Sequence, residues 1–219
     1  MKMIMSKISL DPLNKNQKEV LSELAPFFRK EAVLAGGTAL MLQFYYRKSY
    51  DFDLFFPYRI PDNYLRLASE TFGSDINVLI NNIDELTFTV SKKVKVSFIH
   101  FPFKRKYKPL KYSSIMISSY KDIASDKAYA IGRRPAYRDY VDLFVILKDK
   151  FPLKQIIEDS KEKFSGEFSE KLFLSQLIYF EDLKDFAIDF IGKEYKKEEI
   201  QKFFHEQITD YKNIVFSPK

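Results

Sequence analysis

A chain of 219 residues, 46% hydrophobic and 30% charged, is long enough for one large or two small domains with a buried core. No run approaches about 18 uninterrupted apolar residues, and the opening Met1-Lys2-Met3-Ile4-Met5-Ser6-Lys7 lacks an apolar stretch of signal-peptide length, which argues against a membrane span and for the cytoplasm. Zero cysteines exclude disulfides and cysteine-ligated zinc, His100 and His205 offer no metal-ligand spacing, and a net charge of +6 suits a polyanionic partner such as RNA.

In chain order, the spacing of Val20, Leu21, Leu24 and Phe27 predicts one helix over 11–31. The apolar run from Ala32 ends in a short strand or turn at 34–37, a helix follows over 38–46, and 50–56 reads as a strand closed by Pro57. A helix is expected over 63–72, stopped near Gly73, and strands over 76–80, 85–91 and 94–99. The last strand alternates, with Val94, Val96 and Phe98 on one face and Lys93, Lys95 and Ser97 on the other. Beyond it helices dominate: 122–131, broken by Gly132-Arg133-Arg134-Pro135, then 137–148, 153–164, 169–179, 183–190 and 197–211. Strands confined to the first half give an α+β class, with an N-terminal mixed-sheet domain over 1–118, a C-terminal helical domain over 119–219, and the boundary near 117–121.

The stretch with the most chemistry runs from Leu34 to Phe56. Gly36 and Gly37 let the backbone adopt positive φ and come close to a ligand, and a helix starting there would aim free N–H groups and a positive dipole end at a phosphate. In a strand, Asp51 and Asp53 share one face while Phe52 and Leu54 point into the core. Paired carboxylates repel unless a cation joins them. Magnesium, a hard ion that binds through one or two carboxylates plus substrate phosphates, fits; manganese would serve as well. Taken singly, Gly-Gly is a tight turn and Asp-x-Asp a solvated face; together and in this order they point to transfer chemistry on a nucleoside triphosphate.

Two further groups stand out. Lys104, Arg105, Lys106, Lys108 and Lys111, interleaved with Tyr107 and Tyr112, mix cations and rings as a single-strand or acceptor-stem contact would, although a solvated loop has the same composition. Downstream, Lys127 sits in a small, apolar helix, where it could reach a phosphate, and Asp139 and Asp142 are one turn apart on the next helix. Arg138-Asp139 could equally be an ion-pair site holding two helices together.

Gly36-Gly37-Thr38 followed by Arg47-x-Ser49-x-Asp51-x-Asp53 resembles the first motif of the DNA polymerase β-like nucleotidyltransferase superfamily. More narrowly, Leu-Ala-Gly-Gly-Thr-Ala-Leu with Arg-x-Ser-x-Asp-Phe-Asp-Leu-Phe, and later Lys-x-x-Ala-Ile with Arg-Asp-x-x-Asp-Leu, is similar to the AbiEii-type toxins. The resemblance covers about 33–56 and 122–147. It implies a minimal nucleotidyltransferase core, with Asp51 and Asp53 holding Mg2+ and Gly36, Gly37, Thr38, Ser49 and Lys127 at the nucleotide. It further implies a catalytic or site-ordering role for Asp139, with Asp142 as its partner and the division of roles between the two left open, so that the helical domain contributes to the site. The activity implied is that of the toxin of a toxin–antitoxin pair, moving a nucleotide from an NTP to an acceptor hydroxyl such as a tRNA 3′ end, with other RNA as acceptor and a cognate antitoxin as further partners.

One position departs from the superfamily pattern. Where a third metal-site carboxylate is expected on a later strand, this chain has Ser97, which leaves open a catalytically silent module that binds nucleotide or RNA. A protein-modifying transferase or kinase-like enzyme is a further alternative, but no Walker loop is present.

Overall fold

The computed structural model describes residues 8–73, 76–90, 93–149, 151–184 and 186–216; the opening heptapeptide, Ser91 at the end of one expected strand and Asp185 within one expected helix lie outside them. The chain folds as two units. Among the described residues, one comprises those up to Lys104 together with Lys108–Ser119, the other Arg105–Tyr107 and those from Tyr120 onward.

In the first unit Asn14 opens α1 (Lys15–Glu23) with a reciprocal cap: its carboxamide accepts from the Gln17 N–H at 2.9 Å, and the Gln17 side chain accepts from the Asn14 N–H at 3.1 Å. The single helix expected over 11–31 is instead two, because Leu24 caps α1 and Pro26, which has no N–H to donate, sits in the first turn of α2 (Ala25–Phe28). Then come β1 (Val33–Ala35), α3 (Gly36–Phe44), β2 (Phe52–Phe56), α4 (Tyr64–Phe72), β3 (Asn77–Asn81), β4 (Glu85–Thr89) and β5 (Lys95–His100). Two short strands that the sequence pattern did not announce, β6 (Leu110–Tyr112) and β7 (Ile115–Ile117), close the unit.

Among the described residues these strands form one mixed sheet in the order β3-β4-β5-β2-β1-β7-β6. The central strand β2 runs antiparallel to β1 and parallel to β5, with Asp53 opposite Ala35 on one side and Ser97 on the other. Its alternation is clean: Phe52, Leu54 and Phe56 are fully buried. On that face Phe56, Phe88 and Phe98 meet Phe27 of α2 and Tyr64 of α4, with centroids 4.4–5.9 Å apart in mostly edge-to-face packing. The opposite face carries Asp53, Lys95, Ser97 and Thr87, and Asp51, one residue before β2, meets Lys95 there.

The second unit is helical: α5 (Tyr120–Ile131), α6 (Tyr137–Lys148), α7 (Leu153–Phe164), α8 (Glu170–Ile178) and α9 (Lys197–Phe216). Its core gathers Ile123, Leu143, Phe144, Ile156, Phe173 and Phe204. The helix expected over 183–190 is absent among the described residues of that segment. There Phe186 packs edge-on to Tyr137 and Phe190 to Tyr195, so ring contacts with distant residues override the local helical pattern. The final helix is longer than expected, reaching Phe216, and no helix among the described residues is long and apolar enough to cross a membrane.

Candidate active site

Strand β1 ends at Ala35, and α3 begins at once with Gly36 and Gly37, so the glycines form the first turn of the helix itself. Ala35 is its N-cap and supplies no side-chain hydrogen bond to the opening N–H groups. Gly36 has φ +64°, and a Cβ built there would stand 2.7 Å from Asp53 Oδ2. A Cβ on Gly37 would stand 2.5 Å from Arg47 Nη2 and 3.1 Å from Ser49 Oγ. The two glycines therefore let a carboxylate and a guanidinium close on the turn from either side.

Thr38, on the same turn, faces inward. Its hydroxyl is buried, donates to the Asp51 carbonyl and lies 2.9 Å from the Ser49 hydroxyl. Ser49 is held further: its carbonyl accepts from the buried Gln17 carboxamide at 2.9 Å. Thr38 and Ser49 thus latch the 47–51 segment onto the start of α3.

Asp51 is 35% exposed, and one of its carboxylate oxygens lies 2.7 Å from Lys95 Nζ. Asp53 is half-buried on β2, directly in register with Ser97 of β5, which is itself in register with Thr87 of β4. The donor set suits a hard divalent cation: two adjacent carboxylates, one well exposed, next to backbone amides, with no thiol or imidazole. Among the described residues no group of three or more His, Cys, Asp or Glu forms a metal cage, so an ion here would draw on the two aspartates and on substrate oxygens.

In the helical unit Lys127 of α5 is buried, with Nζ 2.6 Å from Asp139 Oδ1 and 2.7 Å from Asp142 Oδ2 of α6. Asp142 is completely buried and Asp139 nearly so. The sequence left open an Arg138–Asp139 helix-to-helix pair; Arg138 is exposed, and the cation that joins the helices is Lys127. Two carboxylates around one ammonium leave this cluster with a formal charge of −1, with Lys127 aimed and desolvated by its partners.

The basic stretch divides. Lys106 and Tyr107 donate their N–H groups to the two oxygens of buried Asp122 at 3.0 and 2.9 Å, Lys106 Nζ lies 2.9 Å from Asp159, and the Tyr107 hydroxyl donates to Asp159 at 2.7 Å. Burial, then the bond to Asp159, pushes the Tyr107 phenol well up. Burial lowers the Arg105 guanidinium against the pull of Asp126 and Asp122. Lys106 and Tyr107 thus tie into the helical unit, although the Lys106 side chain is itself exposed, as are Lys104, Lys108 and Lys111. Gln17 and Lys95 are site residues with no role in the sequence reasoning, and Arg47 stood there only as a member of the motif. The Asn14–Gln17 spacing and the parity of Lys95 with Ser97 were the available signals.

The folded chain has the architecture of nucleotidyltransferases. It superposes with a TM-score of 0.60 on MenT4, a nucleotidyltransferase toxin of Mycobacterium tuberculosis, over 86% of this chain and 80% of that one at 12% identity. A candidate nucleotidyltransferase of Helicobacter pylori gives 0.56 over 92% and 99% of the two chains at 16% identity. The chain belongs to the family described as nucleotidyl transferase AbiEii toxin of type IV toxin–antitoxin systems, whose pattern matches residues 19–215. An uncharacterized protein of Aquifex aeolicus is 31% identical over 205 residues, covering 91% of this chain and 97% of that protein. Membership makes the chain a nucleotidyltransferase and a toxin of the toxin–antitoxin class, which uses a nucleoside triphosphate and has an antitoxin counterpart.

Proposed function

We propose that the chain transfers a nucleoside monophosphate from an NTP to the 3′-terminal hydroxyl of a tRNA, in the cytoplasm and with Mg2+. The observation that carries this reading is the closure of Asp53 onto Gly36 at the uncapped start of α3, with Asp51 two residues earlier in the chain and paired with Lys95. Asp51 and Asp53 would hold the ion, which when bound neutralises phosphate charge and polarises the reacting phosphorus. The amides of Gly36 and Gly37 and the guanidinium of Arg47 face the triphosphate; Thr38 and Ser49 keep that turn in shape. Lys127 serves the nucleotide phosphates, aimed by Asp139 and Asp142, in keeping with the family pattern. The acceptor oxygen forms a bond to the α-phosphorus, the bond from that phosphorus to the bridging oxygen breaks, and pyrophosphate leaves. The hydroxyl proton passes to a carboxylate, with Asp139 the candidate, or to water. Positioning and charge neutralisation supply most of the rate.

The test is purified chain with total RNA, Mg2+ and each of the four α-labelled NTPs in turn, beside the Asp51→Asn/Asp53→Asn double variant. Label in a tRNA-sized band from one NTP, lost in the variant, is the expected result and names the nucleotide. Label on protein would replace the acceptor assignment with a protein-modifying activity. Nucleotide binding without transfer would favour the silent module that Ser97 leaves open.

A further inference from the structure

We infer that Lys95 is a built-in counter-cation of the Asp51/Asp53 pair, so that the site works with one divalent ion, carried by the nucleotide, instead of two. The inference rests on the reading of these aspartates as ion ligands and goes beyond it by fixing the number of ions.

A two-ion phosphoryl site places its dications about 3.5–4 Å apart and needs anionic ligands enough to hold both. The face that carries Asp53 does not supply them. Directly beside Asp53 in register stands Ser97, and beyond it Thr87, both buried hydroxyls. The next carboxylate on that face of β4, Glu85, lies in register with Ile99 and accepts from Thr87 at 2.6 Å, so it is turned toward its own strand. Against this, Lys95 reaches Asp51 at 2.7 Å from β5, the strand that carries Ser97. Lys95 sets one ammonium against the two carboxylates and the Arg47 guanidinium stands at the same turn, which suits one dication shared with a triphosphate and would leave a second one under-neutralised. Lys95 and Ser97 are two residues apart and therefore on the same face, so a cation and a hydroxyl occupy neighbouring positions of one strand. Lysine is suited to this place as a compact point charge that occupies one oxygen of Asp51.

The experiment counts ions. Mn2+ is titrated into the full chain with saturating α,β-methylene NTP, each of the four in turn, and free Mn2+ is read by electron paramagnetic resonance. Wild type is expected to hold one Mn2+ per ternary complex, Lys95→Arg also one, and the Lys95→Ala/Ser97→Asp double variant two. Two ions in the wild type would overturn the inference whatever the variants do, and so would a double variant that folds by circular dichroism yet still holds one. If the Asp51→Asn/Asp53→Asn protein binds Mn2+ and nucleotide as well as wild type, the ion-ligand reading fails first. That failure is distinguishable because the ion count is then indifferent to both aspartates.

Discussion

Asp53 Oδ2 lies 2.7 Å from the place where a Cβ on Gly36 would stand, closer than real Cβ contacts allow. The carboxylate and the turn are therefore built for each other, and Gly36 is fixed twice over, by that approach and by its φ of +64°. Gly36→Ala should cost about 1–2 kcal/mol for the left-handed backbone alone. It should cost on the order of 100-fold in transfer, because the carboxylate must move. Thermal melts and label incorporation on the same preparation check both. A variant that melts like wild type and transfers at full rate would remove Asp53 from the site.

Gly37 should behave differently. Its φ is not in the left-handed region, and the atom a Cβ would strike is the far end of the Arg47 side chain. Gly37→Ala is expected to cost about 1–3 kcal/mol, because the buried Arg47 guanidinium and the Ser49 hydroxyl must both give way. It should raise KM for the NTP, since Arg47 must swing away from the turn. Unchanged KM with lowered stability would reverse the assignment of Arg47 to the triphosphate side.

Lys127 offers a sharper separation of structure from chemistry. Removing its ammonium leaves Asp139 and Asp142 buried together, so Lys127→Met should destabilise by about 3–5 kcal/mol in chemical denaturation. Adding Asp139→Asn and Asp142→Asn should restore much of that loss, because the triple variant has no unpaired buried charge. If the proposed nucleotide role holds, the triple variant will be stable and inactive. A stable triple variant that still transfers would make the cluster a helix-to-helix tie and nothing more.

The same contrast shows what the sequence could and could not reveal. Asp53 on one strand face, with Phe52 and Leu54 buried behind it, follows from a period of two, and the structure has that arrangement; the strand begins at Phe52, so Asp51 stands just before it and meets Lys95. The glycine turn at the head of a helix was equally local and equally legible. The family resemblance is what puts Thr38 and Ser49 at the nucleotide; the bond that Gln17 makes to Ser49, 32 residues along the chain, is a long-range tie that no local pattern shows. The partners of Lys106 and Tyr107 are Asp122 and Asp159, up to 52 residues on, so a run of basic residues could not announce that part of it is internal scaffold. The 183–190 segment was misread because its aromatic spacing suits a helix, while the rings are used for contacts with Tyr137 and Tyr195. Short β6 and β7 carry too few residues to show a period at all.

The division of the basic stretch has a consequence for RNA. Lys104→Ala/Lys108→Ala/Lys111→Ala should leave the melting temperature in place and flatten the salt dependence of tRNA binding by about 0.7 per lost single-strand phosphate contact. Lys106→Ala should do the reverse: it takes one partner from buried Asp159, which keeps its bonds from Tyr107 and Gln155, and should cost about 1 kcal/mol or less with little change in the salt slope. Filter binding from low to high salt and urea melts measure the two effects independently. An unchanged slope in the triple variant would remove these lysines from the RNA surface.

The Glu170 carboxylate gives the helical unit a pH signature. It lies 2.5 Å from Lys161 Nζ and accepts from the Tyr211 hydroxyl at 2.6 Å, which joins α7, α8 and α9. Burial alone would raise its carboxyl, but the bonds from Lys161 and Tyr211 outweigh that and hold it below the usual glutamate range. A carboxyl whose folded value lies below its unfolded value stabilises the fold in full above the unfolded value, about 4.3, and the contribution fades as pH falls through the folded one. Glu170→Gln should therefore be less stable than wild type near neutral pH, by about 1 kcal/mol or less for so solvent-accessible a pair. The difference should shrink steadily as pH drops below about 4, where both proteins present an uncharged side chain at that position. Urea denaturation of the two proteins across that range gives the difference directly. A gap that stays constant with pH would mean that shape, and not the charge on Glu170, ties the three helices.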